Sequence, residues 1–276
     1  MSTDPQAHIL PDGRRLHLNH GPIDLIIEVL GGDATACYAT AQARFQTLLS
    51  GLVAELPILR RPIDPGTRVK DPVARRMVQA VRPYDDTFVT PMAAVAGSVA
   101  DEVLAAILAR HPAEKIYVNN GGDVAFHLES GQDISAEGPA GAIRITAEDT
   151  SRGLATSGWR GRSHSLGIAD AVTVAARTAA AADVAATLIA NAVDLPDHPA
   201  IRRVPARALN PDSDLGDRLV TTDVGALDTA EIIAALARGQ ALADSLCARG
   251  LIHQAVLCLA GRTAHVTHPQ GALKNA

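Results

Sequence analysis

Apolar positions in the first third of the chain follow strand spacing and then helix spacing. Residues 23–30, IDLIIEVL, are apolar and β-branched and end at two glycines, which predicts a buried strand closed by a turn. Asp33 can cap a helix over Ala34 to about Leu56, where apolar residues recur at helical spacing until Pro57. A surface segment rich in proline and arginine follows, with a short helical pattern over about Pro72 to Val81.

The middle of the chain alternates strand and helix patterns. A short strand is predicted from Thr87, and a helix dense in small residues follows Pro91 and ends at Arg110. The run KIYVNNGGDVAFHL predicts two strands joined by a turn, and a polar, glycine-rich stretch over 130–141 follows it.

The last part of the chain continues this mixture. Three strand patterns, AIRIT, LATSG and ADAVTVAA, precede an alanine-rich helix, TAAAADVAATLIANAV. A proline-rich crossing at 195–212, a long amphipathic helix from about Asp228 to Arg249 and a final strand, HQAVLCLA, complete the pattern. The chain has no internal repeat and no low-complexity linker, so one domain over residues 1–276 is the expectation.

Composition restricts the classes of ligand. Aromatic residues are only 3% of the chain, so platforms that stack single-stranded bases are not expected. The formal charge is -5 and the basic residues are scattered, so the chain has no bulk attraction for polyanions. We therefore expect no nucleic-acid partner.

Cysteines and the N-terminus indicate the compartment. Cys37, Cys247 and Cys258 are far apart and form no CxxC pair, which favours reduced, buried thiols. The start, MSTDPQAHILPDGRR, has no apolar core of signal-peptide length, and no continuous apolar run has the length of a membrane span. These features predict a cytoplasmic protein with no membrane partner.

The turn NNGGD, residues 119–123, is the first candidate for ligand binding. Adjacent glycines permit positive φ and let a ligand approach main-chain donors, and Asn120 and Asp123 add polar side chains. Such a turn can bind phosphate or orient a ring. The alternative is an ordinary hairpin turn.

Asp183 and Thr187 form the second candidate. Their i, i+4 spacing on an apolar helix puts both side-chain oxygens on one helical face. A carboxylate and a hydroxyl facing the same way can supply two oxygen ligands to a hard cation, with a substrate phosphate and water as others. The alternative is an intrahelical threonine and a solvated aspartate.

The segment LATSGWRGRSHSLGIADAV, residues 154–172, is the third candidate. It crowds polar residues between two strand patterns, where loops commonly carry function. Arg160 or Arg162 can pair with a phosphate, and His164 is a candidate acid or base. A solvated loop with an incidental histidine is the alternative, and a Ser-His-Asp hydrolase triad is disfavoured because no nucleophile-elbow pattern surrounds Ser157 or Ser163.

Taken in order, PMAAVAGSVADEV, VNNGGDV, ATSGWRGRSHSLGIADAV and AADVAATLIANAV resemble the ApbE-like superfamily, which includes the magnesium-dependent FAD:protein FMN transferases. The likeness covers about Pro91 to Val193 and is greatest to a small cytoplasmic branch. It implies an α+β fold of related β-α-α-β units, with helices packed on antiparallel sheets.

The resemblance also implies roles for individual residues. In the transferases the helix Ala-Asp-x-x-Ala-Thr supplies its Asp and Thr to magnesium, which assigns Asp183 and Thr187 to the metal. The segment like residues 92–101 forms part of the flavin-binding wall, and the Asn-Gly-Gly-Asp turn lines the pocket. The resemblance thus places Gly97, Asn120, Gly121, Gly122 and Asp123 at the cofactor. The loop's own residue types add Thr156, Ser157, Gly158 and Arg162 as candidates for cofactor binding and His164 as the candidate catalytic residue.

The chain departs from the transferase pattern in two places. Transferases usually carry Lys-Gly-x-x-x-Asp where this chain has Ala96 before Gly97 and Asp101. They also carry His-x-x-Asp-Pro-x-Thr-Gly, whereas SLGIADAV follows His164 here. The adenine pocket and the catalytic loop are thus the parts that differ.

The expected function is a magnesium-dependent transferase acting on a phosphorylated cofactor, with FAD or FMN as candidates. The resemblance leaves two alternatives: an enzyme that helps to make a pterin one-carbon carrier such as tetrahydromethanopterin, and a flavin- or pterin-binding module without catalysis. The expected partner is a small phosphorylated molecule, and a homodimer is left open.

Overall fold

The computed structural model describes residues 4–138 and 141–267. The strands in chain order are β1 (Gln6–Ile9), β2 (Leu16–His20), β3 (Ile23–Leu30), β4 (Lys115–Asn120), β5 (Asp123–Leu128), β6 (Asp133–Gly138), β7 (Gly141–Thr146), β8 (Gly153–Ser157), β9 (Ala171–Ala176), β10 (Ile201–Pro205), β11 (Leu219–Val224), β12 (Gln254–Leu259) and β13 (Arg262–Thr267). The α-helices are α1 (Ala34–Phe45), α2 (Leu48–Leu59), α3 (Pro72–Val81), α4 (Val95–Leu108), α5 (Ala179–Ala192), α6 (Ala206–Leu209) and α7 (Thr229–Ala248). Helices and antiparallel strands together confirm the α+β class.

The chain divides into two compact units. The first is Met1–Ser135, Arg144–Ala155 and Thr178–Val184, and the second is Ala136–Ile143, Thr156–Arg177 and Ala185–Ala276. The boundary crosses α5 after Val184, so that helix contributes to both units. The expectation of a single domain stays a prediction.

The first unit is built on antiparallel strands. Strands β1 to β5 pair in chain order, and β8 pairs with β5. Burial alternates along β3 and β4, as period-2 spacing predicts for a sheet with one face in the core. Helix α4 contacts β4 and β5 and also α1 and α3, so the core of this unit lies between the sheet and these helices.

Helix α4 and the 3-10 helix Pro91–Ala94 that precedes it form one apolar helical run. Pro91–Leu108 is 18 residues long with a mean hydropathy of 1.5, which by length and composition suffices to cross a membrane. Half of it is buried inside the protein, and its Glu102 accepts hydrogen bonds from Arg44 and Arg76, each at 3.0 Å. Burial and ion pairs of this kind are those of a core helix.

Three strands of the second unit pair side by side. Strand β12 lies between β9 and β13 and is antiparallel to both. Helix α7 packs on β12 and β13, and Asp228 and Glu231 close its start as a reciprocal capping box. Strands β10 and β11 form a separate pair, as do β6 and β7.

Several expected elements are confirmed and a few are wrong. The strand at 23–30, the hairpin around NNGGD and the helix over Pro72–Val81 agree with the structure. The single helix expected from Ala34 to about Leu56 is wrong, because the chain forms α1 and α2 and Pro57 lies inside α2. The strand expected from Thr87 is also wrong, since Thr90 instead caps a 3-10 helix.

The three cysteines are buried and unpaired, as the sequence predicts. Burial raises the pKa of each thiol, to about 11 for Cys247. Thiols of this kind are poor nucleophiles and metal ligands at neutral pH.

Candidate ligand and metal site

The turn after β4 has the backbone that its residue types predict. Gly121 and Gly122 have φ of 66° and 114°, in the left-handed region that favours glycine. Asn119 Oδ1 accepts the Gly122 N–H at 2.8 Å, and Asn120 pairs with Asp123 across the hairpin. The two glycines are exposed at the tip, where added side-chain atoms at Gly122 would meet open space. The hairpin is confirmed, and its role in ligand binding stays a prediction.

Asn120 ties this turn to the start of α4. Its side chain is buried, and its Nδ2 donates to the Ala96 carbonyl at 3.1 Å. Its Oδ1 accepts the Asp24 N–H from β3 at 3.4 Å. Asn120 is thus held by packing and hydrogen bonds, and it fixes where Ala96 and Gly97 lie relative to the hairpin.

Gly97 and Asp183 meet although 86 positions separate them in the chain. The Gly97 N–H donates to Asp183 Oδ2 at 3.0 Å. A Cβ on Gly97 would lie 2.3 Å from the Ala179 carbonyl oxygen, which is far closer than packed atoms approach. Position 97 must therefore be glycine for α4 to approach the first turn of α5.

Asp101 fixes the start of α5 from α4. Its carboxylate accepts the N–H groups of Ala179 at 3.0 Å and Ala180 at 2.9 Å. These donors are among those that a helix start leaves without an intrahelical partner, and a carboxylate there also interacts favourably with the helix dipole. Asp101 therefore orients the helix that carries Asp183.

The carboxylate of Asp183 is electrostatically strained. Burial raises its pKa well above the ordinary value, the nearby Asp123 adds to this shift, and the N–H groups of Gly97 and Ala96 oppose it. Two carboxylates that repel each other in a partly buried place are stabilised by a cation between them. Within residues 4–138 and 141–267, no group of three or more His, Cys, Asp and Glu side chains is placed to hold a metal ion. This pair still suits Mg²⁺, which commonly uses one or two carboxylates together with water and phosphate.

Thr187 lies on α5, one helical turn beyond Asp183. It is half-buried, and the i, i+4 spacing expected from the sequence is kept because the helix is continuous. Its role as a metal ligand stays a prediction.

In the second unit, Asp170 organises the loop that leads from β8 to β9. Its Oδ1 accepts Trp159 Nε1 at 3.2 Å and Arg160 Nε at 2.7 Å, and its Oδ2 accepts the Ala260 N–H at 2.6 Å. Arg160 also lies over the Trp159 ring, 4.4 Å from its centre. The polar residues nearest Asp170 thus satisfy one another.

The rest of this loop is anchored by the Asn191 side chain and by close packing at Gly158. Asn191 Oδ1 accepts both the Ser165 hydroxyl at 3.1 Å and the Leu166 N–H at 2.8 Å. Gly158 is buried, and a Cβ there would lie 2.5 Å from the Asp170 carbonyl oxygen. Gly158 therefore has a packing role, and binding by it stays a prediction.

The remaining candidates of this loop have fewer constraints. Thr156 is exposed and shares a 2.9 Å hydrogen bond with Thr173, while Ser157 is half-buried at the end of β8. Arg162 is exposed and His164 is half-buried, and neither side chain makes a hydrogen bond or ion pair within the part of the chain that the structure describes. Because Asp170 bonds Trp159, Arg160 and Ala260, it does not orient His164 as a hydrolase triad requires.

Sequence reasoning missed two contributors to the first unit's site. The Ala96 carbonyl acts through the backbone, and the Asp101 carboxylate caps a helix that is far away in the chain, so neither contact is visible in the local sequence. The spacing of Gly97 and Asp101 in the transferase pattern is the signal that links them, since both contact the start of α5.

Comparisons with known proteins give a family model and several relatives. A family model described as AbpE bacteria matches residues 7–265. A UPF0280 protein of Methanopyrus kandleri is 40% identical over 124 residues, which is 43% of this chain and 48% of that protein. A UPF0280 protein of Methanospirillum hungatei is 29% identical over 189 residues, or 66% of this chain and 72% of that protein. The chain thus spans about half the length of the first of these relatives.

Among solved structures, an ApbE protein from Thermotoga maritima is similar at a TM-score of 0.47 with 11% identity, over 95% of this chain and 97% of that one.

Proposed function

The chain belongs to the AbpE bacteria family of the ApbE-like superfamily, and on this premise we propose that it is a magnesium-dependent enzyme acting on a phosphorylated flavin or flavin-like cofactor. Transfer of FMN from FAD is one instance of this reaction. The site is centred on the Asn119–Asp123 turn, on Gly97 and on Asp183.

One observation carries the proposal: the Asp183 carboxylate is held beside Asp123 with its pKa raised well above the ordinary value. Asp170 in the second unit differs, because a guanidinium, an indole N–H and a main-chain N–H donate to its carboxylate. Asp183 and Asp123 would hold Mg²⁺, with Thr187 as the further ligand expected from its helical position. When bound, Mg²⁺ supplies charge that offsets the negative charge developing on a phosphate during transfer.

The chain's own residues account for binding and orientation. The exposed main chain at Gly121 and Gly122 lets a ligand approach closely, and Asn120 keeps that turn fixed through Ala96. Arg162 is exposed and able to pair with a phosphate. We assign proton transfer to His164, whose ring is not committed to another described side chain.

The proposed partner is a small phosphorylated molecule rather than a nucleic acid or a membrane. The cytoplasmic location and a homodimer stay predictions.

The two departures from the transferase pattern favour a second candidate. Ala96 replaces the lysine next to the flavin, and the loop after His164 lacks the Pro and Thr-Gly of the transferases. A ring of similar shape and hydrogen bonding, such as a pterin, is compatible with a changed pocket. An enzyme of pterin one-carbon carrier synthesis is therefore the runner-up, and a flavin- or pterin-binding module without catalysis is the non-enzymatic alternative.

Asp183→Asn tests the metal site. The substitution keeps the shape of the side chain and removes its charge, so we expect Mg²⁺ binding, measured by calorimetry with MgCl₂ in the presence of FAD, to be lost or weakened at least ~10-fold. Asp85→Asn is the matched control, because Asp85 is exposed and lies outside the site. Equal titrations for the wild type and both variants, or no binding by any of them, would contradict the proposal.

Mass spectrometry of ligand released from freshly purified protein separates the candidates. A flavin supports the first candidate and a reduced or oxidised pterin the second. Single-turnover product formation with the identified ligand then separates an enzyme from a binding module.

A further inference from the structure

A histidine pair lies on the outer face of the first unit's sheet, on strands that the proposed function does not use. His8 on β1 and His17 on β2 are direct cross-strand partners. Asp24 on the neighbouring β3 contacts the second of them. Leu16 and Leu18 are buried on the core side of β2, so His17 projects from the opposite face.

The two imidazoles are spaced as ligands of one ion. His17 Nδ1 and His8 Nε2 are 3.2 Å apart, and the rings meet edge to face with centres 4.7 Å apart. Two nitrogens with this 3.2 Å separation, each bound at the ~2.0–2.1 Å typical of zinc–imidazole bonds, subtend about 100° at the ion. This angle lies between those of square and tetrahedral coordination.

Asp24 prepares His17 for this role. Its Oδ1 lies 2.5 Å from His17 Nε2. A carboxylate only accepts hydrogen bonds, so Nε2 carries the proton and the lone pair of neutral His17 is on Nδ1, facing His8. A carboxylate behind a histidine is the usual arrangement at metal centres, where it fixes the ring and raises the basicity of the ligating nitrogen.

His8 completes the pair with little rearrangement. It is exposed, so its ring can turn, and its proton can reside on Nδ1 in contact with solvent while Nε2 faces the ion. The side chains of His17 and Asp24 are 22% and 41% exposed, so an ion at this position would keep open coordination sites for water.

We propose that His8 and His17 chelate a divalent transition-metal ion of the zinc, copper and nickel group on the outer face of β1–β3, with Asp24 orienting His17. Imidazole nitrogens select these ions, whereas Mg²⁺ prefers oxygen ligands. The site is therefore independent of Asp183 and of the proposed function. The competing explanation is a hydrogen-bonded cluster that only joins three strands.

Calorimetric titration of tag-free full-length protein with ZnCl₂, in buffer containing millimolar MgCl₂, distinguishes the two explanations. We expect Asp24→Asn to weaken Zn²⁺ binding by ~10–100-fold, as is typical for loss of an outer-shell partner. We expect His8→Ala, which removes a ligand, to weaken Zn²⁺ binding more than this or to abolish it. Asp183→Asn should leave Zn²⁺ binding unchanged. His265→Ala is the matched control, because His265 is also an exposed strand residue but its partner on the neighbouring strand is Val256.

His8→Ala is the primary variant because its side chain is exposed and its removal spares the core; His17→Ala is the second, with circular dichroism as the check on folding. Loss of Zn²⁺ binding in both variants but not in His265→Ala supports the chelate. Binding that is unchanged in His8→Ala, absent in the wild type, or lost equally in His265→Ala overturns it.

Discussion

The surroundings of Asp183 and of Asp170 offer similar groups but balance charge differently. Around Asp170, a tryptophan N–H, a guanidinium and a main-chain N–H all donate to one carboxylate. Around Asp183, the donors are main-chain N–H groups, and the nearest charge is another carboxylate, Asp123. In the first arrangement donors surround the carboxylate, whereas in the second burial and a neighbouring carboxylate both raise the pKa of Asp183.

On the proposed function, this difference separates the polar cluster expected to stabilise the fold from the one expected to bind a cation. A satisfied network stabilises the fold, whereas a partly buried and uncompensated carboxylate lowers stability until a cation binds. The density of polar residues does not distinguish the two clusters, because the sequence is at least as polar around Asp170 as around Asp183.

The largest expected effect concerns His164, the residue of the Asp170 loop that the network leaves uncommitted. If His164 transfers a proton, His164→Ala should slow turnover by about 10²–10⁴-fold and change ligand affinity much less. Ser163→Ala is the control, since Ser163 is the exposed neighbour. If His164→Ala turns over at the wild-type rate, the loop has only a structural role, and the binding-module alternative is favoured.

The next effect concerns the packing that brings Asp183 to Gly97. Gly97→Ala places a methyl group 2.3 Å from the Ala179 carbonyl. We expect the free energy of unfolding to fall by an amount at the upper end of the ~1–3 kcal/mol typical of overpacking. Urea denaturation measures it, and Gly138→Ala, with open space around its Cα, is the control. A loss no greater than that of the control would mean that α4 and α5 move apart readily.

The smallest effect compares the two carboxylates directly. Asp170→Asn should lower the free energy of unfolding by about 1–2 kcal/mol, because the bonds from Ala260 and Trp159 weaken. The pair with Arg160 adds little, since that arginine is 63% exposed. Asp183→Asn, measured by thermal unfolding without Mg²⁺, should cause no loss, because it removes repulsion from Asp123. Similar losses of stability in Asp170→Asn and Asp183→Asn would contradict the proposed difference between the two carboxylates.

Hydrophobic spacing predicted the elements that have one buried face. Strand β3 alternates buried and half-buried residues, and α3 and α7 keep an apolar side against their neighbours. The break between α1 and α2 was missed, because apolar residues recur at helical spacing on both sides of Thr47. Strand β1 was missed because all its residues are exposed, so buried and exposed positions do not alternate along it.

The sequence predicts which residues belong to the candidate site but not how they are arranged in space. The turn at Asn119–Asp123 and the helix with Asp183 carry recognisable local patterns. Gly97 on α4 contacts Asp183 on α5, and the two residues are far apart in the chain. The spacing of residues within one helix gives no information about such a contact. The same holds for His8, His17 and Asp24, which only strand register brings together.

The contact between α4 and α5 has a consequence for how sequences in this superfamily can diverge. The Lys-Gly-x-x-x-Asp pattern contains two separable parts: a lysine, and a glycine and an aspartate whose counterparts here, Gly97 and Asp101, hold two helices together. This chain has lost the first part, where Ala96 stands, and keeps the second, because any side chain at Gly97 would collide with α5 and Asp101 caps it. The residue at position 96 can therefore change without disturbing the packing of α4 on α5. Gly97 and Asp101 are required by that packing, whatever ligand the neighbouring residues bind.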